Sequence, residues 1–486
     1  MSESDILIVG AGAKAAALAA KVHTINTLGL GEISMTVIEK TESAASWKGL
    51  NGMTSGEEPL AIPPIKDVGF PYQSSRQFGE LGDEIDAALL PFTWQRFAME
   101  RHEYAAWVNA GSPSVMHRDY GEYLGWVLER ATEGVTLYDG RVTEVSLADG
   151  HDRWQVEVAE RGRSEDPERH SGRVLVLTGP GVHRHFPHDP EVESRVFHCD
   201  SRREEFVRVP EDEPVEIAII GGGESALSAL VFLRDLRPQA RLTIYTPTLP
   251  LSRGESFLEN RVFADPDNVD WEHLDIETRR DFVKHCDRGV FDQTVLERIS
   301  DDDHLSFVTG RATHVSLADD GEAALLEFES PSEGEMSQRY DFVINCTGFD
   351  LLRQVRGLFP DAVRDEVEEQ CGALWDGPPK SEVPIGRGLE LEGVRPRLHI
   401  PGLGGLRQGP GFANLGSLGL LANRVLQPLL EELEVPVASN SAKINNHSLL
   451  LDERGAEDVV RYGCWESVGC AAFSGGAGRA RRLWVL

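Results

Sequence analysis

The sequence predicts an α/β fold, because an apolar strand runs twice into a glycine-rich turn and then into a helical stretch. The first turn occupies residues 10–15 and follows the apolar residues 6–9; the second occupies 221–226 and follows 215–220. Glycines at such a turn let the backbone approach a pyrophosphate at the helix N-terminus, and a small third residue lets helix and strand pack closely. Two such turns indicate two Rossmann-like dinucleotide-binding domains, with electron transfer between the two dinucleotides.

Length and composition indicate a globular protein of several domains. A chain of 486 residues can hold about three domains, and 41% hydrophobic with 26% charged residues is an ordinary composition. No apolar run is long enough for a transmembrane helix, and the acidic N-terminus lacks the basic region of a signal peptide. We therefore expect a cytoplasmic protein. The net charge of −32 disfavours nucleic acid and anionic membranes as partners.

The cysteine spacing excludes one class of enzyme with two dinucleotide folds. The six cysteines stand at 199, 286, 346, 371, 464 and 470, and no two have the close spacing of a redox or zinc motif. We expect free thiols and no metal site. Disulfide reductases need a vicinal cysteine pair, so the sequence argues against that class.

The order of predicted elements suggests that one domain is inserted into the other. We expect the first nucleotide domain over residues 1–204, the second over 205–345 and a return to the first over 346–435. Predicted strands end at Glu39 and near Thr178 in the first domain, whereas 242–245 and 340–345 are strands of the second. Residues 50–65 form a long loop. The tail, 436–486, shows no periodicity and receives no role.

The ends of the second strands distinguish the two dinucleotides. Glu39 stands where a carboxylate holds a ribose diol, although a solvated surface glutamate is the alternative. No carboxylate ends the strand at 242–245, and Arg253 follows shortly. A missing acid with a nearby arginine favours a 2′-phosphate, hence NADPH; the alternative is a surface arginine.

Seven segments resemble the flavin-dependent amine N-hydroxylases of siderophore biosynthesis, in particular the mycobactin-type lysine N6-hydroxylases. They are residues 10–15, 66–72, 221–226, 253–260, 262–266, 287–291 and 408–415. The resemblance spans about residues 5–430 and leaves out the tail. It implies an FAD domain, an inserted NADPH domain and a small substrate-binding portion. It also implies that NADPH reduces FAD, that O2 adds to give a C4a-hydroperoxyflavin, and that the substrate amine takes up the distal oxygen.

The resemblance also implies roles for individual residues, none of them certainly catalytic because the flavin performs the chemistry. The substrate would be bound by Lys66, Asn260, Asp287 and Ser417. FAD would be bound by Gly10, Gly12, Ala13, Glu39, Lys40, Trp47, Val142, Thr347, Gly348, Asn414 and Leu415. NADPH would be bound by Gly221, Gly223, Glu224, Ser225 and Arg253. Lys66 would take the substrate α-carboxylate and Asp287 the α-ammonium. The alternatives are a surface lysine, a turn-capping aspartate and, for Trp47, a core tryptophan.

One departure from the family keeps other functions open. The ornithine-acting enzymes have a glutamine where Ala61 stands here, so we do not assume tight coupling of oxidation to hydroxylation. The alternatives are an ornithine N5-hydroxylase, or a flavin-binding NADPH oxidase or redox protein without efficient hydroxylation. The choice of lysine over ornithine rests on the resemblance alone, and free and acylated lysine are both open. We also expect a homo-oligomer.

Overall fold

The structure is a computed structural model that describes residues 2–52, 54–160, 167–201, 206, 209–210, 214–299, 301–375 and 383–433. The tail at 436–486, with Cys464 and Cys470, lies outside the described residues.

The strands are β1 Ser2–Val9, β2 Met35–Glu39, β3 Val135–Leu147, β4 Trp154–Glu160, β5 Glu168–Leu177, β6 Val182–His183, β7 Val196–His198, β8 Glu216–Ile220, β9 Arg241–Thr246, β10 Leu305–Thr309, β11 Arg311–Leu317, β12 Ala324–Ser330, β13 Gly334–Tyr340, β14 Phe342–Asn345, β15 Phe349–Asp350 and β16 Arg397–His399. The α-helices are α1 Ala13–Thr27, α2 Ser75–Phe78, α3 Leu81–Leu89, α4 Trp94–Glu100, α5 Tyr104–Asn109, α6 His117–Arg130, α7 Glu224–Leu236, α8 Phe257–Ala264, α9 Ile276–Cys286, α10 Gln293–Ile299, α11 Leu351–Leu358, α12 Asp361–Cys371, α13 Gly405–Gln408 and α14 Leu418–Glu432. Short 3-10 helices occupy Leu90–Phe92, Pro190–Arg195, Pro266–Val269, Trp271–His273, Pro401–Leu403 and Pro410–Phe412.

The first sheet is built around β1. Strands β3, β2, β1, β5 and β16 pair in parallel, while β4 pairs antiparallel with the C-terminal part of β3 and the N-terminal part of β5. The alanine-rich α1 is buried along most of its length and packs against α6 and α14. Small side chains allow this close approach of helices, so α1 forms the centre of the largest hydrophobic core.

The second sheet has the order β10-β9-β8-β14-β7, all parallel. It begins before residue 205, because β7 pairs with β14. Strands β11, β12 and β13 form a separate antiparallel sheet, which the sequence patterns did not predict. The prediction of an α/β fold with two Rossmann-like units, each with a strand, a glycine turn and a helix in succession, is confirmed.

The chain crosses between the two large sheets twice, and the crossings pair with each other. Strand β6 leaves the first sheet after β5, β15 follows β14 of the second, and the two pair antiparallel. Beyond β15 the chain reaches β16, which pairs with β5. The second sheet therefore lies between two stretches of chain that supply the first sheet.

None of the helices in the described part of the chain combines the length and apolar character that a bilayer span requires.

Candidate functional site

The first glycine turn connects β1 to α1 and requires glycine at position 10. Gly10 has a φ of +99°, and a Cβ there would lie 2.8 Å from Thr178 Oγ1. That hydroxyl donates to the carbonyls of Val9 and Gly10 at 2.9 and 3.0 Å. A Cβ on Gly12, by contrast, would meet no described protein atom within 4 Å. The backbone at Gly12, just before Ala13 starts α1, is thus open to a bound group.

Glu39 lies at the end of β2, beside this turn. Its Oε2 accepts the N–H of Ala11 at 2.8 Å, and its Oε1 accepts the N–H of Thr41 at 2.9 Å. Each carboxylate oxygen keeps acceptor capacity beyond these bonds. The carboxylate therefore stands at the turn, as the ribose role requires, while the neighbouring Lys40 is exposed.

Two other residues predicted to bind FAD lie in the same half of the molecule. Trp47 is half-buried, with its ring edge-to-face against His117 and Tyr120 at centroid distances of 5.0 and 5.8 Å. Val142 is a buried residue of β3 opposite Val158 of β4. Both side chains pack against protein, so the core alternative for Trp47 stays open, and the FAD role of both residues stays a prediction.

Thr347 and Gly348 lie between β14 and β15, close to the second glycine turn. The Thr347 hydroxyl donates to Asn345 Oδ1 at 2.7 Å, and the Gly348 carbonyl accepts the N–H of Arg184 at 2.9 Å. These contacts fix the crossing between the two large sheets.

The second glycine turn connects β8 to α7 in a similar way. Gly221 has a φ of +142°, and a Cβ there would lie 2.4 Å from the carbonyl oxygen of Cys346. A Cβ on Gly222 would lie 3.0 Å from Thr246 Cγ2, at the end of β9. Gly223 precedes α7, and Glu224 and Ser225 are its first residues. Backbone N–H groups at this helix N-terminus suit a pyrophosphate.

Arg253 joins the second glycine turn to the long loop at 50–65. One end of its guanidinium pairs with the Glu224 carboxylate, and Nη1 donates to the carbonyl of Ala61 at 3.2 Å. The sequence suggested neither contact, and the assignment of Arg253 to a 2′-phosphate stays a prediction.

Lys66 and Asn260, both predicted to bind substrate, are brought together by the fold. Lys66 Nζ donates to Asn260 Oδ1 at 2.5 Å, and Asn260 Nδ2 donates to the carbonyl of Glu255 at 2.9 Å. Burial lowers the pKa of Lys66, an effect that Glu255 opposes and Arg253 reinforces. The pair presents one ammonium and one amide, which suits a carboxylate-bearing ligand.

Asp67, which was not among the predicted site residues, fixes the segment that contains Lys66. Its buried carboxylate accepts the Tyr72 hydroxyl at 2.8 Å and the N–H groups of Gly69 and Trp94, each at 3.1 Å. Burial raises the pKa of Asp67 to about 6. Its position next to Lys66 was the only signal in the sequence.

Asp287 is joined to a residue predicted to bind FAD. Asn414 Nδ2 donates to Asp287 Oδ1 at 2.9 Å, and Arg288 Nε lies 3.0 Å from the other carboxylate oxygen. Lys14, from the first glycine turn, donates to the carbonyl of Ala413 at 3.3 Å. Burial, with a contribution from Arg288, lowers the pKa of Lys14 to about 8, and Asp287 opposes the shift. Asp287 thus belongs to a polar cluster beside the first turn, and its substrate role stays a prediction.

Ser417 is fully buried immediately before α14. A Cβ on Gly411 would lie 2.5 Å from its Oγ, and that oxygen has no hydrogen-bond partner among the described residues. The neighbouring Leu415 is half-buried against the main core. The hydroxyl of Ser417 is therefore an unpaired polar group close to the predicted site.

The segment 287–289 lies beside both glycine turns. The charges of Asp287 and Arg288 are close enough to shift the pKa of Lys14 in the first turn. A Cβ on Gly223 of the second turn would lie 3.5 Å from the N atom of Gly289. The two glycine turns, 10–15 and 221–226, are thus neighbours, as hydride transfer between two bound dinucleotides requires. We call them the first and the second cradle.

Comparison with known proteins agrees with this arrangement. The family model described as L-lysine 6-monooxygenase/L-ornithine 5-monooxygenase matches residues 87–351. The L-lysine N6-monooxygenase of Mycolicibacterium paratuberculosis is 34% identical over 441 residues, covering 89% of this chain and 97% of that protein. That of Mycobacterium tuberculosis is 34% identical over 426 residues, covering 87% and 94%.

Two solved structures are similar along most of the chain. The lysine monooxygenase of Nocardia farcinica, whose NADPH domain has a conformation described as unprecedented, gives a TM-score of 0.72 at 30% identity, covering 87% of this chain and 99% of that one. The ornithine N-hydroxylase of Kutzneria sp. 744, solved with reduced FAD, NADP+ and L-ornithine, gives 0.71 at 17% identity, covering 89% and 100%. The second likeness supports the fold.

Proposed function

The chain belongs to the L-lysine 6-monooxygenase/L-ornithine 5-monooxygenase family, and we propose that it is an FAD-containing L-lysine N6-monooxygenase that uses NADPH and O2 in siderophore biosynthesis. The support is the 34% identity with lysine N6-monooxygenases along nearly their whole length. The single observation that favours an amino-acid substrate is the contact between Lys66 and Asn260.

The first cradle fits FAD. A Cβ at Gly10 would collide with Thr178, and the backbone at Gly12 is open, as close approach of a pyrophosphate requires. Glu39 supplies the carboxylate for a ribose. The other residues we assign to FAD are Ala13, Lys40, Trp47, Val142, Thr347, Gly348, Asn414 and Leu415. When bound, FAD supplies hydride acceptance from NADPH and the activation of O2.

The second cradle is assigned to NADPH. Gly221 and Gly223 shape the turn, and Glu224 and Ser225 begin α7. Arg253 is the cation that we assign to the 2′-phosphate, which would replace the Glu224 carboxylate as its partner.

The residues of the substrate site hold the amino acid by its α-carboxylate and α-ammonium groups. Lys66 binds the α-carboxylate and Asn260 orients the Lys66 ammonium, so the side chain of the substrate extends from a fixed end. Asp287 and Ser417 complete the proposed set. The reacting amine has a free pKa of about 10.4, and only its neutral form has a lone pair for attack. Excluding water from the site lowers that pKa and increases the neutral fraction.

We propose domain boundaries on the basis of the sheets. We assign the first sheet, with β16 and α14, to the FAD domain, the second to the NADPH domain, and Lys66 with α8 to the substrate-binding portion. A cytoplasmic location and a homo-oligomeric assembly stay predictions.

We propose lysine rather than ornithine as the substrate, because the lysine N6-monooxygenases are more similar to this chain. The L-ornithine N(5)-monooxygenase of Pseudomonas aeruginosa is 26% identical over 315 residues and covers 58% of this chain. One methylene is worth only about 1–3 kcal/mol of discrimination, so the two amino acids need direct comparison. The experiment is hydroxylamine formation by the FAD-loaded protein with NADPH, O2 and lysine, N-acylated lysine or ornithine. The highest kcat/KM is expected with lysine, and a higher value with ornithine would reject the proposed substrate.

A further inference from the structure

Glu259, His285 and Cys286 converge on one point outside the two cradles. Among the described residues they form the one group of three metal-ligating side chains, and their ligand atoms all lie within 4.8 Å of one another. Glu259 Oε1 is 2.7 Å from His285 Nε2. The spacing along the chain is unlike that of any zinc motif, which is why the sequence predicted no metal site.

We propose that Glu259, His285 and Cys286 bind a borderline-soft divalent cation, Zn²⁺, through one carboxylate oxygen, one imidazole nitrogen and one thiolate. These three atom types are its usual ligands, at about 2.0–2.3 Å from the ion. Thiolate ligation disfavours Mg²⁺ and Ca²⁺, which prefer oxygen. Three protein ligands leave one position for water.

The local structure makes room for an ion. A Cβ on Gly254 would lie 2.4 Å from His285 Nε2 and 2.9 Å from Glu259 Oε1, so glycine at this position keeps the space between the ligands clear. The His285 side chain is 60% exposed. The ring can therefore rotate, which lengthens the distance between His285 Nε2 and Glu259 Oε1. Two ligand atoms of a tetrahedral Zn²⁺ lie about 3–4 Å apart.

Glu259 and Cys286 differ in how much must change before they can ligate an ion. The Glu259 carboxylate accepts the N–H of Ser256 through Oε2 at 2.6 Å, which orients it and leaves Oε1 for the ion. This bond contributes to the lowered pKa of Glu259, so the side chain is ionised at neutral pH. The Cys286 side chain is buried, and its thiol must lose its proton to ligate the ion.

An ion here would connect two parts of the substrate site. Glu259 precedes Asn260 on α8, and Cys286 precedes Asp287 at the end of α9. Asn260 contacts Lys66 and Asp287 contacts Asn414. The ion would fix α8 to the end of α9, whatever reaction the protein catalyses.

The test is Zn²⁺ binding to the FAD-loaded full-length protein, measured by competition with a chromophoric chelator. We expect one Zn²⁺ per chain, and His285→Ala and Cys286→Ser should each weaken its affinity by about tenfold or more. Co²⁺ in place of Zn²⁺ should show a thiolate-to-metal charge-transfer band that Cys286→Ser abolishes. Because His285 is exposed, its replacement should leave folding and the FAD content unchanged.

Other thiols provide the controls. Cys371→Ser and the double replacement of Cys464 and Cys470 by serine should leave Zn²⁺ affinity and the Co²⁺ band as in the wild type. The proposal is overturned if the His285→Ala and Cys286→Ser proteins bind Zn²⁺ as tightly as the wild type does. It is also overturned if replacing the control cysteines weakens Zn²⁺ binding. None of these readouts depends on lysine hydroxylation.

Discussion

Lys66 Nζ lies 2.5 Å from Asn260 Oδ1, so one hydrogen bond joins the segment before Asp67 to helix α8. The two residues are 194 positions apart in the sequence. The amide also donates to the carbonyl of Glu255, and the buried Asp67 fixes the adjacent backbone. The Lys66 ammonium is therefore held in place before any ligand arrives, which reduces the entropic cost of binding a carboxylate.

Replacing Lys66 with methionine should weaken lysine binding. The variant removes the proposed partner of the α-carboxylate at a half-buried position, where losing one member of a charge pair costs about 2–5 kcal/mol. We expect kcat/KM for lysine to fall by about 30-fold or more, mainly through KM, while NADPH oxidation without lysine persists. Steady-state kinetics measure both. Lys284→Met, at an exposed lysine, is the matched control; equal effects of the two variants would remove Lys66 from the substrate site.

Gly12→Ala should weaken FAD binding without harming the protein fold. A Cβ there meets no described protein atom within 4 Å, so the free energy of unfolding of the FAD-free protein should change by no more than about 0.5 kcal/mol. A pyrophosphate against this backbone would be crowded, so we expect FAD affinity to fall by about tenfold or more. Flavin fluorescence titration measures that affinity.

The exposed Gly357 of α11, where a Cβ also meets no atom within 4 Å, provides the control. Gly357→Ala should leave FAD affinity unchanged. Wild-type FAD affinity in the Gly12→Ala protein would show that FAD does not bind this turn.

Arg253→Gln should reduce the preference for NADPH over NADH. The guanidinium that pairs with Glu224 is expected to exchange that carboxylate for the 2′-phosphate, and a charge-assisted bond is worth about 1.5–3 kcal/mol. The ratio of kcat/KM for the two nucleotides should fall by about tenfold or more. Arg241→Gln, at an exposed arginine paired with Glu216, should keep the wild-type ratio. If Arg253→Gln impairs both nucleotides equally, Arg253 only connects Glu224 to Ala61.

Asp67 should make the protein less stable as the pH rises from about 4 to about 6. Burial raises its pKa from 3.8 to about 6, so over this range the native state binds more protons at Asp67 than the unfolded chain does. Stability contributed by the protonated carboxyl is present below pH 3.8 and lost by about pH 6, and a shift of about two pKa units corresponds to about 3 kcal/mol.

Urea unfolding at a series of pH values measures this dependence. Asp67→Asn should remove the decrease between pH 4 and 6, whatever its effect on stability at a single pH. Asn retains the oxygen that accepts from Tyr72 and Gly69. The exposed Asp83→Asn should keep the wild-type dependence, and parallel curves for Asp67→Asn and the wild type would contradict the raised pKa.

The sequence predicted the parts of the fold that local patterns determine. The glycine turns and the end of β2 at Glu39 depend on neighbouring residues, and the structure contains them. The antiparallel sheet of β11, β12 and β13 has weaker alternation, since β13 is mostly exposed on both faces. The period of two that marks a half-buried strand is therefore missing in β13, although β12 alternates.

The contacts within the site could not be predicted, because they join distant segments. Resemblance named Lys66 and Asn260, but only the fold shows that their side chains meet. Resemblance also named Asp287 and Asn414, but only the fold shows that Asn414 donates to the Asp287 carboxylate. No pattern in the sequence connects Arg253 with Ala61 or His285 with Glu259.

The most direct test of the account is the product formed from L-lysine by the purified, FAD-loaded protein with NADPH in air. We predict N6-hydroxylysine, identified by mass spectrometry and formed only when lysine, NADPH and FAD are all present. Coupling below one hydroxylamine per NADPH is consistent with the prediction, which does not assume that oxidation is tightly coupled to hydroxylation. NADPH oxidation that lysine leaves unchanged, with no hydroxylated amine among the products, would contradict the central claim.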